Sequence, residues 1–327
     1  MLVDSYKRKI SYLRLSITDR CNLRCRYCMP QGMFLKLLHE DILTYEEYLE
    51  IAKILVEEGV SKIRLTGGEP LVRRNLLDFI SELNKLSKQP QLCLTTNGVL
   101  LSEMAENLVA AGISWVNISL DTLEPENFKR ITGLDQFHQV WQGVQTALSA
   151  GFESVKINTV TIRGVNEHEL MEFARLSLEE PLEIRFIEYM PLGAVGYWSP
   201  ERFLSSSQVK DIISPLGPLT PVLSGERDGP VKKYRLPDGR GTIGFISALS
   251  DHFCSGCNRI RLTADGKLRL CLHSNQELDI KTPLREGATR AELSNLLRQA
   301  VQDKPAQHLL GRKINRASNR SMNLIGG

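Results

Sequence analysis

Hydrophobic and polar positions follow two different periods in the first part of the chain. In residues 11–17, SYLRLSI, apolar and polar side chains alternate, which is typical of a strand. In residues 44–59, TYEEYLEIAKILVEEG, the apolar side chains recur with helical spacing, which predicts a helix with one buried face. Thr44 and Glu47 have the spacing of a capping box, and Gly59 is a candidate C-terminal cap.

The two patterns continue to alternate up to about residue 190. The further predicted strands are 61–68, 91–98, 114–121, 153–162 and 182–189. The further predicted helices are 75–87, 101–112, 137–151 and 166–179. About six βα units of roughly 30 residues each indicate parallel strands joined by helical crossovers. Such units build an open doubly wound sheet or a barrel, here incomplete because a full barrel has eight units.

Polar and glycine-rich runs recur at the carboxyl ends of the predicted strands. They are CNLRCRYC at 21–28, TGGEP at 66–70, TTNG at 95–98, SLD at 119–121 and EYMP at 188–191. Any one of these runs has an ordinary explanation as a turn. In both architectures, however, this edge of the sheet carries the chemistry, so the recurrence predicts one shared site.

The composition changes after residue 190. Residues 214–230, SPLGPLTPVLSGERDGP, are rich in proline and glycine and predict a linker or irregular segment. Residues 233–247 predict a β-hairpin, and residues 290–302 predict a helix before a basic tail that ends in NLIGG. We therefore expect two parts, a core of residues 5–225 and a C-terminal region of residues 226–327.

Composition and charge limit the classes of function. The 327 residues are 42% hydrophobic and 24% charged, which is normal for a globular protein. The net charge of +3 argues against a nucleic-acid-binding surface but allows a local basic pocket. No secretory signal and no apolar run of membrane-spanning length is present, so we expect a cytoplasmic protein without a membrane partner.

Six of the seven cysteines form two triplets. The triplets are Cys21, Cys25 and Cys28, and Cys254, Cys257 and Cys271. Clustered thiols in a reducing compartment are more often metal ligands than disulfides. Cys93 stands alone in an apolar strand-like run, which favours a buried, inert thiol.

Three thiols per group are one ligand fewer than a zinc ion or a four-iron cluster normally has. A structural zinc normally takes four ligands, and the candidates for a fourth are His39, His252 and His273. A cubane iron–sulfur cluster usually takes four cysteines, so a triplet leaves one iron open for a substrate or cofactor. The spacing favours iron–sulfur clusters without excluding zinc.

The first triplet, Cys-x-x-x-Cys-x-aromatic-Cys, together with TGGEP, resembles the radical S-adenosylmethionine (SAM) superfamily. The resemblance implies an incomplete (β/α)6 barrel with a C-terminal α+β region that carries a second cluster. It also implies that the amino and carboxylate groups of SAM bind the open iron, and that electron transfer yields a 5′-deoxyadenosyl radical.

Longer segments narrow the resemblance to the GTP 3′,8-cyclase family. They are YLRLSITDRCNLRCRYCMP at 12–30, IRLTGGEPLVRR at 63–74, FCSGCNRIRLTADGKLRLCL at 253–272 and the terminal IGG. The resemblance extends from about residue 5 to residue 327. It implies conversion of GTP to (8S)-3′,8-cyclo-7,8-dihydroguanosine 5′-triphosphate in the first step of molybdenum cofactor biosynthesis. It further implies a reducing electron donor, a downstream cyclic pyranopterin monophosphate synthase and, as an option, a homodimer.

The resemblance also assigns roles to individual residues. Each cysteine triplet would hold one 4Fe–4S cluster. The implied SAM contacts are Tyr27, Gly68, Ser119 and Met190. The implied GTP contacts are Arg14, Arg64, Thr95, Lys156, Arg185, Arg259, Ile260 and Arg261. Independently of the family, guanidinium groups and a lysine suit a triphosphate, and the cations on predicted strands are expected on one side of the barrel. The IGG tail is expected to reach the site and contact the arginines of CNRIR.

Three other interpretations remain at this point. A peptide-modifying radical SAM enzyme with an auxiliary cluster would share the first triplet, but such enzymes usually carry more C-terminal cysteines. A zinc-stapled binding module would use both triplets as staples. A doubly wound NAD enzyme is disfavoured because TGGEP lacks the G-x-G-x-x-G fingerprint.

Overall fold

The computed structural model describes residues 1–28, 37–192, 197–223, 225, 228–308 and 320–326. The strands are β1 (Tyr12–Ser16), β2 (Lys62–Thr66), β3 (Gln91–Thr96), β4 (Ile113–Ser119), β5 (Ser154–Thr161), β6 (Glu183–Glu188), β7 (Thr220–Val222), β8 (Lys232–Arg235), β9 (Thr242–Ile246), β10 (Arg259–Leu262), β11 (Lys267–Arg269) and β12 (Leu278–Asp279). The helices are α1 (Tyr45–Glu57), α2 (Leu76–Asn84), α3 (Leu101–Ala111), α4 (Pro125–Thr132), α5 (Phe137–Ser149), α6 (Leu170–Glu179), α7 (Ser206–Ile213), α8 (Lys281–Arg285), α9 (Arg290–Gln302) and α10 (Met322–Ile325).

All of these strands belong to one sheet. Its order is β12-β11-β10-β1-β2-β3-β4-β5-β6-β9-β8-β7. The eight strands from β10 to β9 in this order are parallel. Antiparallel strands extend the sheet at each end. Within the described part of the chain the order ends at β12 and β7, so the sheet is open.

The six strands predicted from the sequence, β1 to β6, form the middle of the sheet in chain order. The C-terminal region adds one parallel strand to each side of them, because β10 pairs with β1 and β9 pairs with β6. The predicted hairpin is confirmed as β8 and β9, and the predicted helix at 290–302 is confirmed as α9. The two parts expected from the sequence therefore contribute to a single sheet.

Helix α1 begins with the predicted capping box. The backbone N–H of Glu47 donates to Thr44 Oγ1 at 3.2 Å, and that of Thr44 donates to Glu47 Oε2 at 2.7 Å. The helices also differ from the sequence prediction in places, and the short helices α8 and α10 are among those that were not predicted. Helix α6 begins only at Leu170, after a 3₁₀ turn at Glu167–Glu169, and α4 and α7 were not predicted.

The alternation of side chains gives the sheet two chemically different faces. On one face, apolar side chains such as Leu13, Ile63 and Ile184 are fully buried in the hydrophobic core. On the other face, cations occupy matching positions, since Arg14 lies opposite both Arg64 and Arg261 in the parallel register. The helices thus cover the apolar face, and the polar face is left for the site. In the described residues, no helix combines the length and the apolar character needed to cross a membrane.

Candidate active site

One cavity of about 340 Å³ runs along the polar face to the loops at the carboxyl ends of the parallel strands. All six cysteines of the two triplets line it. The first triplet lies in the loop after β1, the second begins in the loop after β9, and Cys271 follows β11. None of the seven cysteines, all of them among the described residues, forms a disulfide.

The glycine-rich turn after β2 packs directly against the chain that enters the first cysteine loop. The backbone N–H of Gly68 donates to Thr18 O, and that of Glu69 donates to Arg20 O, both at 2.8 Å. A Cβ atom at position 68 would lie 2.3 Å from Arg20 O. Only glycine allows this approach, so the TGGEP turn fixes the backbone just before Cys21.

Glu69 joins this turn to the next one. Its buried carboxylate accepts hydrogen bonds from the backbone N–H groups of Leu71 and Asn97 and from Thr96 Oγ1, at 2.6–3.0 Å. Burial raises the pKa of Glu69 to about 7, although the three donors oppose that shift. The Asn97 side chain in turn donates to Asn22 Oδ1 at 2.7 Å, inside the cysteine loop.

Tyr27 connects the same loop to the end of β4. Its hydroxyl donates to Asp121 Oδ2 at 2.5 Å, and Asp121 Oδ1 accepts from the backbone N–H of Val160 at 2.8 Å. Burial raises the pKa of Asp121 to about 6. The carboxylate thus orients the aromatic residue between the second and third cysteines.

The thiols of the first triplet are held in surroundings that disfavour a bare thiolate. Burial raises the pKa of Cys28 to about 12 and that of Cys25 well above its usual value, and the neighbouring thiols add to both shifts. A bound cationic metal group reverses this balance, because a coordinating thiol loses its proton.

The spread of the sulfur atoms tests which metal group fits. Zinc–sulfur bonds of about 2.3 Å place tetrahedral thiolates about 3.8 Å apart. Among the described residues, neither cysteine triplet has its three sulfur atoms within 4.8 Å of one another. The described arrangement of each triplet is therefore not that of a single tetrahedral ion, and three thiols suit a four-iron cluster with one open iron. Of the histidines considered as zinc ligands, His252 and His273 line the cavity, whereas His39 is exposed outside it.

Five arginines line the cavity beside the cysteines. They are Arg14, Arg64, Arg185, Arg259 and Arg261. Burial lowers the pKa of Arg14 to about 10 and that of Arg261 well below its usual value, and the neighbouring guanidinium groups add to these shifts. The cations thus repel one another in a desolvated place, and a bound polyanion would relieve that repulsion.

Comparisons with known proteins cover nearly the whole chain. The family described as the Radical SAM superfamily matches residues 15–177, and the one described as Molybdenum Cofactor Synthesis C matches residues 182–310. The GTP 3′,8-cyclase of Desulforamulus reducens is 45% identical over 327 residues, which are 100% of both chains. The GTP 3′,8-cyclase of Moorella thermoacetica is 48% identical over 325 residues, 99% of both chains. The chain belongs to the GTP 3′,8-cyclase family. Membership implies SAM and 4Fe–4S clusters as cofactors.

The fold agrees with that membership. The crystal structure of Streptococcus suis SuiB bound to S-adenosylmethionine superimposes with a TM-score of 0.63 at 14% identity. The match covers 90% of this chain and 68% of SuiB. At this level of identity the likeness concerns the fold alone, an α/β fold with a sheet of parallel strands.

Most residues that the family resemblance pointed to lie on the cavity wall. The four expected SAM contacts, Tyr27, Gly68, Ser119 and Met190, all line it, as do Thr95 and the five arginines. Two of the expected GTP contacts do not. The Ile260 side chain is fully buried in the hydrophobic core, because alternate residues of β10 point to opposite faces.

Lys156 is the other exception. Its ammonium group lies outside the cavity wall, 2.8 Å from Glu183 Oε2 and 4.1 Å from the ring centroid of Trp115. A smaller adjoining pocket is lined by Lys156, Glu183 and Lys233, and by Asp228, which also lines the main cavity. Lys156 therefore adjoins the main cavity through Asp228, whose carboxylate lies 3.8 Å from the ammonium group.

The C-terminal tail of this GTP 3′,8-cyclase family member enters the cavity region, as expected. Arg261 Nη1 donates to Gly326 O at 2.6 Å, and the Asn323 side chain donates to Asp19 O at 3.0 Å. Met322 lines the cavity itself. Gly327 lies outside the described residues.

The sequence did not point to Tyr12 and Lys62, which also line the cavity. The Tyr12 hydroxyl accepts from Arg64 Nε at 2.7 Å. Burial would raise the pKa of Tyr12, but Arg64, Arg14 and Lys62 outweigh it and lower the pKa to about 7. The signal was present, because Tyr12 and Lys62 each precede a cavity arginine by two residues in a strand.

Proposed function

We propose that the chain converts GTP to (8S)-3′,8-cyclo-7,8-dihydroguanosine 5′-triphosphate, the first step of molybdenum cofactor biosynthesis. The observation that carries the proposal is the shared cavity, in which both thiol triplets and five arginines face one space. The full-length relatives named GTP 3′,8-cyclase support the same reaction.

Two 4Fe–4S clusters fit the two triplets. Cys21, Cys25 and Cys28 would hold the SAM-cleaving cluster, and Cys254, Cys257 and Cys271 would hold the second. When bound, the first cluster and SAM supply the 5′-deoxyadenosyl radical that removes hydrogen from C3′ of GTP before C3′ bonds to C8. Tyr27, Gly68, Ser119 and Met190 form the wall on which SAM would be held.

The protein's own contribution is to bind and orient GTP. Arg14, Arg64 and Arg185, with Thr95 beside them, offer charged and polar donors to the triphosphate. Lys156 would join them through a movement away from its carboxylate partners. Arg259 and Arg261 flank the second triplet, where the guanine base is expected, and Ile260 would contribute through its backbone. Burial of these groups excludes water and keeps the reacting carbon atoms together.

The finer points of architecture and partners belong to the same proposal. Residues 5–225 would form the (β/α)6 SAM-cleaving core, and residues 226–327 would carry the second cluster. A reducing electron donor is required because SAM cleavage consumes an electron. We further propose that a cyclic pyranopterin monophosphate synthase receives the product, that the chain forms a homodimer, and that it works in the cytoplasm, where its free thiols stay reduced.

Anaerobic reconstitution tests the proposal. Two clusters correspond to about eight irons per chain, whereas a zinc-stapled module would contain zinc without iron. The loaded protein is then incubated with dithionite, SAM and either GTP or ATP, and the nucleosides are analysed by mass spectrometry. We expect 5′-deoxyadenosine and a cyclised nucleotide only with GTP. SAM cleavage that is indifferent to GTP would overturn the assigned substrate and leave only the superfamily.

A further inference from the structure

Lys304 lies directly behind the second cysteine triplet, although no motif of the sequence pointed to it. It follows α9 and is only 2% exposed. Its ammonium group donates to Arg259 O at 2.7 Å and to Leu270 O. Arg259 is two residues beyond Cys257, and Leu270 directly precedes Cys271. The buried charge is thus fixed between the two strands that carry two of the three cysteines.

A second buried cation ties the remaining cysteine to the same segment. Arg8 Nη1 donates to Cys254 O at 2.7 Å and to Ala306 O at 3.0 Å, and Nη2 donates to Pro305 O at 2.7 Å. Asp4 holds the Arg8 side chain through a 2.5 Å contact to Nε. The segment from Lys304 to Ala306 is therefore anchored to all three parts of the triplet.

Arg8 and Lys304 differ in their charged neighbours, and Arg8 has a carboxylate partner in Asp4. Among the described residues, no carboxylate lies within 4.0 Å of the Lys304 ammonium group. A buried charge without a counter-charge is costly. The acidic groups that act on Lys304 are the thiols of Cys257 and Cys271. Cluster-bound thiolates would supply the missing negative charge, and the lysine would stabilise them in return.

The first triplet differs in having carboxylates beside it, although one cation, Arg24, donates to Cys21 O at 2.6 Å and opposes their effect at Cys21. The carboxylates of Glu69 and Asp121 line the cavity beside it. They act on Cys21 and Cys25 with a charge that disfavours further negative charge there. Reduction adds one negative charge to a cluster, so nearby cations favour the reduced form and nearby carboxylates oppose it.

We propose that Lys304 is a positioning residue that raises the reduction potential of the second cluster, so that this cluster accepts an electron more readily than the SAM-cleaving one. The inference rests on the proposed function, because it presupposes a cluster at each triplet. It assigns the second site an electron-holding role next to the substrate, separate from binding the base.

The test is a redox titration of the reconstituted holoenzyme followed by electron paramagnetic resonance. Added SAM changes the resonance signal of the first cluster, which allows the signals of the two clusters to be told apart. In the unmodified protein, we expect the second cluster to be reduced at the higher potential. The reverse order, or equal potentials, would overturn the inference without any mutation.

Substitutions then isolate the lysine. Lys304→Gln keeps hydrogen-bond donors for the two carbonyl groups but removes the charge. The reduction potential of the second cluster should therefore fall, while that of the first cluster should not change. Lys304→Arg should restore the potential. Lys281→Gln is the matched control, because Lys281 also donates to a backbone carbonyl, Asp41 O at 3.1 Å, and should leave both potentials unchanged.

The outcomes distinguish this inference from the proposed function. An unchanged second potential in Lys304→Gln, with about eight irons still bound, would contradict the role of the lysine and leave the reaction standing. Loss of the second cluster in Lys304→Gln but not in Lys304→Arg would support the need for the charge. An unmodified chain that fails to form a second cluster or to act on GTP would instead contradict the proposed function.

Discussion

Lys156 and Glu183 form a buried ion pair, with 2.8 Å between Nζ and Oε2 and side-chain exposures of only 2% and 7%. The other carboxylate oxygen, Oε1, accepts from Arg185 Nε at 2.5 Å. One carboxylate therefore holds two of the cations that we expect to bind the triphosphate of GTP. In the proposed complex, a phosphate group would replace Glu183 as the counter-charge of these two cations.

Replacing Glu183 should make the protein more dependent on GTP for its stability. Glu183→Gln removes the carboxylate that the buried Arg185 and Lys156 share and leaves Lys156 with the more distant Asp228, at 3.8 Å, which costs about 3–5 kcal/mol of unfolding free energy in the nucleotide-free chain. Bound triphosphate restores negative charge, so GTP should raise the melting temperature of the variant more than that of the unmodified protein. Differential scanning fluorimetry with and without GTP measures both shifts.

Glu179→Gln is the control for this substitution. Glu179 is exposed at the end of α6, so its loss should change neither the melting temperature nor the response to GTP. An equal GTP shift in Glu183→Gln and in the unmodified protein would show that the triphosphate does not reach Lys156 and Arg185.

The same carboxylate predicts how stability depends on pH. Burial would raise the pKa of Glu183, but Arg185 and Lys156 outweigh it and lower the pKa from 4.5 to about 2. A lowered pKa means that the folded state favours the ionised form, so this contribution is present above about pH 4.5 and is lost as the pH falls towards 2. The shift corresponds to about 3 kcal/mol. Urea unfolding of the nucleotide-free chain should show the gap between unmodified protein and Glu183→Gln shrinking from pH 6 to pH 3; a constant gap would refute the assignment.

The sequence predicted the middle of the sheet because its signals are local. Strands β1 to β6 alternate in hydrophobicity, and most of the helices between them have an apolar stripe. Helix α4 was missed because its eight residues give too little periodicity. Strand β10 was missed because four residues, RIRL, next to a cysteine motif do not reveal that they pair with β1, more than 240 residues earlier.

The residues of the site likewise fall into those with a local sequence signal and those without one. Cysteine spacing and strand arginines are readable from short segments, and both sets do meet in the cavity. The relationships that tune the site are long-range. Glu183 lies 27 residues from Lys156, and Lys304 lies 45 residues from the carbonyl of Arg259. No local pattern distinguishes such residues from ordinary buried charges.

The approach of Gly68 to Arg20 predicts a selective loss of one cluster. In Gly68→Ala the new Cβ would lie 2.3 Å from Arg20 O, so the cysteine loop must move by more than its close packing tolerates. We expect iron content to fall from about eight to about four per chain, with the remaining signal belonging to the second cluster. Iron analysis and paramagnetic resonance after reconstitution measure this loss.

Gly256 provides the matched control for that substitution. It lies between Cys254 and Cys257, and a Cβ atom there would meet nothing within 4 Å. Gly256→Ala should therefore retain both clusters. Full iron content in Gly68→Ala would mean that the turn after β2 adjusts without disturbing the first triplet.

The contact between Arg261 and Gly326, the last described residue, predicts that the tail serves turnover rather than cluster assembly. Deleting Gly326 and Gly327 removes the carbonyl that accepts from the buried guanidinium group at 2.6 Å. A hydrogen bond to a charged group contributes about 1.5–3 kcal/mol, so we expect GTP turnover to fall roughly tenfold to a hundredfold while about eight irons stay bound. Full activity in the truncated protein would refute the role.

A point substitution separates the tail's position from its length. Gly326 has φ of +81°, and a Cβ atom there would lie 2.8 Å from Ser16 Cβ and 3.0 Å from Thr66 Cγ2. Gly287 has a similar φ of +86° but open space around it. Both alanine variants incur the backbone strain of the left-handed region, about 1–2 kcal/mol, whereas only Gly326→Ala forces the tail away from β1 and β2. Turnover should therefore fall in Gly326→Ala and persist in Gly287→Ala. Equal losses of turnover in the two variants would mean that backbone strain, and not the position of the tail beside Arg261, causes the effect.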